Sequence, residues 1–153
     1  AFACSISFHG RARSMMYDGE PHRKEIEQAK AAVSIPVIAN GGIFSVEDAT
    51  KMLANTGADG IMIARYGLEH PFVFSELTGT LCQKTPFQIL LEQLDLTAQY
   101  YDETFTLSYI KKIASYMMKK RKGTKRYKES LYRSGNLEEL RNMIALIFAD
   151  HPA

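Results

Sequence analysis

Three short apolar runs, each closed by a turn and set apart by a single helix-length stretch, constrain this chain most. Phe2-Ala3-Cys4-Ser5-Ile6-Ser7-Phe8 ends at His9-Gly10, and Ile35-Pro36-Val37-Ile38-Ala39 ends at Asn40-Gly41-Gly42. Ile61-Met62-Ile63-Ala64 follows the break Gly57-Ala58-Asp59-Gly60. Between the first two runs Ile26, Ala29 and Val33 fall at helical spacing among charges. Between the second and third, Ser45-Val46-Glu47-Asp48 opens a helix as a hydroxyl and a carboxylate that can satisfy free N–H groups. Ala49, Met52 and Leu53 then share one face of it. Short apolar strands alternating with single helices predict parallel pairing in a sheet buried on both faces.

Three parallel strands cannot close a barrel, and an open sheet of three leaves two unpaired edges. The chain is therefore expected to be a piece of a longer protein whose earlier strands complete the sheet. Its first residue is not Met and already reads as strand, in keeping with that expectation. Exposed edges would also favour self-association.

From Thr85 onward the pattern becomes helical. Thr85-Pro86-Phe87-Gln88 combines an N-cap hydroxyl, proline at the first helical position and glutamine three residues after the cap. Phe87, Leu90, Leu91, Leu94 and Ala98 then recur at amphipathic spacing. Tyr109, Ile113, Tyr116 and Met117 mark a second helix, and a shorter one is expected from about Lys125 to Arg133. Leu137, Leu140, Met143, Ile144 and Ile147 mark the last, opened by Asn136 with Glu139 placed for a capping box. The switch predicts an α/β portion over residues 1–80 followed by an all-α bundle over 81–153.

No apolar run is long enough to span a bilayer, and the first residues carry no signal-peptide pattern. Cys4 and Cys82 lack metal-type spacing and are expected to be buried, reduced thiols of a cytoplasmic protein.

The ends of the three runs carry the candidate chemistry. His9-Gly10-Arg11-Ala12-Arg13 places a histidine and two arginines together. Asn40-Gly41-Gly42-Ile43 is a turn where backbone can approach a ligand closely, and Ala64-Arg65-Tyr66-Gly67 sets a cation beside backbone donors. Backbone N–H groups with a guanidinium suit a phosphomonoester. Taken singly these are also the marks of plain turns and surface charges; three in succession at βα spacing favour a phosphate site at the strand C-termini.

Charge is concentrated downstream. Between Lys111 and Arg133 lie ten cations and one acid, Glu129, in a chain whose net charge is +2. The cations include Lys111, Lys112, Lys119, Lys120, Arg121, Lys122, Lys125 and Arg126, interleaved with Tyr109, Tyr116, Tyr127 and Tyr132. Such a patch suits a polyanion, with the rings available for stacking on bases; a solvated helix face with inward tyrosines is the plainer alternative.

Phe8 to Arg13, Ile35 to Ile43 and Thr56 to Arg65, in that order and spacing, resemble the tRNA-dihydrouridine synthase family, and His70-Pro71-Phe72-Val73-Phe74 resembles the segment that follows. The resemblance covers residues 1 to about 80 closely and the helical remainder in architecture and charge. It implies the last strands and helices of a flavin-binding (β/α)8 TIM barrel followed by a helical tRNA-binding domain. It also implies an oxidoreductase that reduces uridine to 5,6-dihydrouridine in tRNA with FMN and NADPH. The FMN phosphate would be held by Asn40, Gly41 and Gly42 on one side and by Ala64 and Arg65 on the other, with His9 against the flavin. Arg11 and Arg13 would line the face where a flipped uridine docks. Ala12, Ala64 and Tyr66 depart from the family pattern, and Tyr66 would be strained if its position required positive φ. The family's acid cysteine and a flavin-contacting lysine lie upstream of the matched motifs, so neither Cys4 nor Cys82 is assigned that role, and the chain alone is expected to be inactive. Two alternatives stand beside this: another FMN- or phosphate-binding barrel of the dihydroorotate dehydrogenase or IMP dehydrogenase kind, and a non-catalytic RNA-binding module.

Overall fold

The computed structural model describes residues 3–10, 22–119 and 121–150. The chain divides into two compact units, residues 1–67 with 76–78, and residues 68–75 with 79–153. Residues 68–75 thus group with the helices rather than with the strands before them.

The first unit is a three-stranded parallel sheet in the order β1-β2-β3, with β1 at Ile6–His9, β2 at Val37–Asn40 and β3 at Gly60–Met62. Helices α1, Arg23–Ala32, and α2, Val46–Thr56, form the crossovers. In register, Phe8 lies opposite Ala39 and Ala39 opposite Ile61. With side chains alternating along each strand, that row faces the helices. Val37, Ala39, Ile26, Ala49 and Met52 are buried there, with Phe8, Val33, Leu53 and Ile61 packed around them. The expectation of a sheet buried on both faces is corrected: β1 alternates between half-buried and exposed positions, and Met62 is exposed. Both crossover helices pack on one face, and among the described residues of this unit no third layer covers the other.

Local chemistry sets the element ends. Ser45 Oγ accepts from Asp48 N at 3.0 Å, and the Asp48 carboxylate accepts from Phe44 N, one residue earlier than a strict capping box. Gly57, at φ 64°, ends α2 in the left-handed conformation and donates to Leu53 O. Asp59 ties the N-terminal end of the sheet together, accepting from Val37 N at 2.8 Å and pairing with Lys30 at 2.7 Å. These contacts hold its carboxyl below the usual carboxylate range, the hydrogen bond from Lys30 contributing most. The strands are shorter than the apolar runs. Cys4 lies before β1 and is exposed, as is Cys82, so both thiols are free but neither is buried.

Beyond β3 come two short helices, α3 at Arg65–Glu69 and α4 at Val73–Thr78. Tyr66 sits inside α3, so its backbone is right-handed and carries no positive-φ strain.

The second unit contains α5, Pro86–Tyr100; α6, Glu103–Met118; a 3₁₀ turn, Thr124–Tyr127; α7, Lys128–Arg133; and α8, Leu137–Asp150. Leu90, Leu94, Ile110, Ala114, Met117, Leu131, Leu140, Ile144 and Ile147 form its core. The Thr85–Gln88 capping box is complete in both directions. At α8, Glu139 N donates to Asn136 Oδ1, while the Glu139 carboxylate accepts from Gly135 N. Helix α6 is rotated from the face marked by Tyr109 and Tyr116. Thr106, Ile110, Ala114 and Met117 are inward, Tyr109 is exposed and Tyr116 is half-buried. The small Ala114 permits close packing of α6, and Thr106 satisfies its hydroxyl on Asp102 O at 2.8 Å.

Candidate functional site

The C-terminal ends of the three strands meet on one rung. His9 lies opposite Asn40, and Asn40 opposite Met62. The Asn40 side chain spans all three strands: its Oδ1 is 2.6 Å from His9 Nδ1, and its Nδ2 donates to Met62 O at 3.1 Å. Because the Met62 carbonyl can only accept, the Asn40 amide nitrogen must face it and the amide oxygen must face His9. His9 therefore donates through Nδ1, which leaves Nε2 as the ring nitrogen open to a ligand.

After this rung the backbone turns through Gly41 at φ 116° and Gly42 at φ 67°. Those values favour glycine and leave the turn's backbone free of Cβ bulk. Buried Ile43 anchors the turn in the core, and the Phe44 ring lies 5.6 Å from the Arg65 guanidinium carbon. That cation–π contact holds Arg65 beside the turn. His9, Asn40, Gly41, Gly42, Ala64 and Arg65, six residues singled out by sequence, line one cavity of about 210 Å³. Ile43, Phe44 and Met62 complete its lining and were missed by sequence reasoning, because apolar residues near strand ends carry no chemical signature. Arg11 and Arg13 lie outside the described residues.

In the second unit the cations have distinct placements. Lys111 donates to Tyr132 O at 3.2 Å and to Ser134 O at 2.5 Å, a cation holding the C-terminal end of α7. Lys119 pairs with Glu69 at 2.8 Å. Arg121 lies over the Phe148 ring at 4.9 Å, and burial pushes its guanidinium pKa below the usual value. Arg126 stacks on Tyr127 and donates to its hydroxyl at 2.8 Å. Lys112, Lys122, Lys125 and Lys128 are exposed, and Lys120 lies outside the described residues. A second cavity, about 460 Å³, is lined by Ser115, Tyr116, Met118, Lys119, Arg121, Thr124, Lys125 and Lys128. No group of His, Cys, Asp and Glu among the described residues is placed to hold a metal ion, and no helix among them is long and apolar enough to cross a membrane.

Residues 3–149 match the profile of the dihydrouridine synthase (Dus) family. The chain belongs to that family. A tRNA-dihydrouridine synthase B of Vibrio cholerae is 41% identical over 108 residues, covering 65% of this chain and 34% of the relative. One of Pseudomonas aeruginosa is 32% identical over 138 residues, covering 84% of this chain and 42% of the relative. A probable tRNA-dihydrouridine synthase 1 of Synechocystis is 47% identical over 77 residues, half of this chain and 22% of the relative. The chain thus spans well under half the length of these relatives.

Proposed function

We propose that this dihydrouridine synthase family chain supplies two binding elements of a tRNA-dihydrouridine synthase: a cradle for the FMN phosphate and a basic helical surface for tRNA. On this reading the three strands are the last of a (β/α)8 barrel and the helical unit is the bundle that follows it. The observation that carries the first element is the cavity at the strand ends. Two positive-φ glycines expose backbone there, and an arginine is held alongside. That donor set suits a phosphomonoester. A volume of about 210 Å³ is small for a whole flavin, since sites for drug-sized ligands run from about 300 Å³ upward. The cavity therefore fits the phosphate end, with the ring extending past His9. There His9 Nε2 and the Asn40 clamp would orient the ring's polar edge.

When bound, FMN reduced by NADPH supplies the hydride to uracil. The chain's own residues bind and orient, and no proton donor for that step is assigned to them. Cys4 is exposed ahead of β1, Cys82 lies in the helical unit, and neither lines the cavity. The chain by itself is accordingly inactive on tRNA. The surplus of cations between Lys111 and Arg133 supports the tRNA surface, and it argues against a barrel that acts only on small molecules.

Calorimetry of the chain with FMN and with riboflavin tests the cradle. FMN should bind at least about tenfold more tightly, the worth of one charge-assisted contact. Arg65→Ala should erase the difference. Equal affinity for both flavins overturns the cradle. For the tRNA surface, replacing the exposed Lys112, Lys122, Lys125 and Lys128 by alanine should weaken tRNA binding. It should also lower the slope of log affinity against log salt by up to about three to four. An unchanged slope overturns that element.

A further inference from the structure

An exposed row of rings that the core does not use starts at Tyr101, which caps the end of α5, and continues onto α6. Tyr101, Phe105 and Tyr109 recur every four residues. The first two ring centroids lie 4.4 Å apart with planes inclined 25°, and the second and third lie 5.6 Å apart with planes inclined 15°. The three residues are 56%, 42% and 38% exposed, whereas Ile110 and Ala114 on α6 are buried.

The ends of the row differ in charge. Asp102 and Glu103 flank the Tyr101 end, where the first accepts from Phe105 N and the second from Leu137 N. At the Tyr109 end the next turn brings up exposed Lys112. Two turns on, Tyr116 lines the cavity of about 460 Å³ that holds Lys119, Lys125 and Lys128. Neighbouring Lys111 is turned to the α7 carbonyls and takes no part. The seven residues from Tyr109 to Tyr116 rise about 10 Å along the helix. That distance matches about three stacked nucleotides at roughly 3.4 Å each.

We propose that this face of α6 takes a short single-stranded stretch of RNA, with bases stacked from the outer face of Tyr109 and phosphates on Lys112 and on Lys125 and Lys128 of the cavity. The proposal rests on the reading of the helical unit as a tRNA surface, and it adds that this surface grips unpaired nucleotides besides duplex backbone. Stacking is tolerant of sequence because every base offers a π-face. The acids at the Tyr101 end repel phosphate, so the strand runs from Tyr109 toward the cavity and not the other way.

The test titrates the full chain with a short end-labelled oligoadenylate and with a blunt RNA duplex of matched phosphate count, read by fluorescence anisotropy. Tyr109→Leu should weaken oligoadenylate binding about 5- to 150-fold and leave the duplex within about twofold, while Tyr109→Phe, which keeps the ring, should retain binding. Unaltered melting by circular dichroism confirms that the leucine variant folds. Equal losses on both probes, or no loss on oligoadenylate, overturn the proposal. If the wild-type chain binds tRNA with its salt dependence intact but oligoadenylate ignores Tyr109, only this proposal fails; if tRNA is not bound at all, the tRNA surface fails with it. Self-association that Tyr109→Leu abolishes in sedimentation, without any change in RNA binding, assigns the row to a second copy and also overturns it.

Discussion

Asn40→Ala is the sharpest perturbation of the strand-end site, because one side chain links β1, β2 and β3 there. The substitution removes the bond to His9 Nδ1 at 2.6 Å and the bond to Met62 O at 3.1 Å. A typical protein hydrogen bond is worth about 0.5–1.5 kcal/mol net. Both of these are within reach of water, which places each in the lower half of that range and the pair at about 1–2 kcal/mol. The ladder bonds beside them, such as Gly10 N to Asn40 O at 2.9 Å, use backbone and survive. The expected result is a lowered urea midpoint with an unchanged slope. Amide exchange at Gly10 should accelerate about 5- to 30-fold, as the end of β1 opens more often. Asn40→Asp separates the two bonds. It keeps an oxygen for His9 but turns an acceptor toward the Met62 carbonyl, so it should be no more stable than the alanine variant at neutral pH. An aspartate variant as stable as wild type would refute the clamp, since the Met62 bond would then not be made. So would an alanine variant within about 0.3 kcal/mol of wild type, which is less than one ordinary hydrogen bond.

In the helical unit, Ile144→Ala empties a fully buried position and should cost about 2–5 kcal/mol by urea denaturation. Thr85→Ala deletes the acceptor for Gln88 N and should cost about 0.5–2 kcal/mol, with helix content otherwise retained in circular dichroism. Asp59 has a depressed folded pKa, so its contribution is present above the unfolded carboxylate pKa and is lost as pH falls through the folded value. The Tm gap between wild type and Asp59→Asn should therefore be constant at neutral pH and close in acid; a gap that widens in acid would contradict the sign. Gly42→Ala forces an L side chain to φ 67° and should cost about 1–2 kcal/mol, together with a weakened preference for FMN over riboflavin in calorimetry.

Much of the α/β unit was legible in the residues because its signals are local. Apolar runs, the Ser45 cap, Gly57 after α2 and the Gly41-Gly42 turn act within a few positions of themselves, and βα spacing sets parallel strands in order. The capping box at Thr85 was legible for the same reason. Other expectations failed where a contact partner lies far along the chain. Cys4 belongs to an apolar run, but pairing with β2 begins only at Ile6, which leaves its thiol exposed. Spacing alone left open whether Tyr109 turns inward or outward on α6, and it is exposed. The packing of α5, α7 and α8 selects Thr106, Ile110 and Ala114.

The residues by themselves determined the family, the alternation of strands and helices, the glycine turn and the concentration of positive charge, all of which depend on short-range pattern. Only the tertiary structure decided that Asn40 bridges three strands, that Arg65 rests on Phe44 beside the glycine turn, and that Lys111 closes α7 while Lys112 stays exposed. It also decided that Tyr101, at the end of α5, stacks with the exposed Phe105 and Tyr109 of α6. Each of these depends on which groups packing brings within a few ångströms, and on the rotation of each helix about its own axis. A linear spacing rule leaves that rotation open until the core is filled.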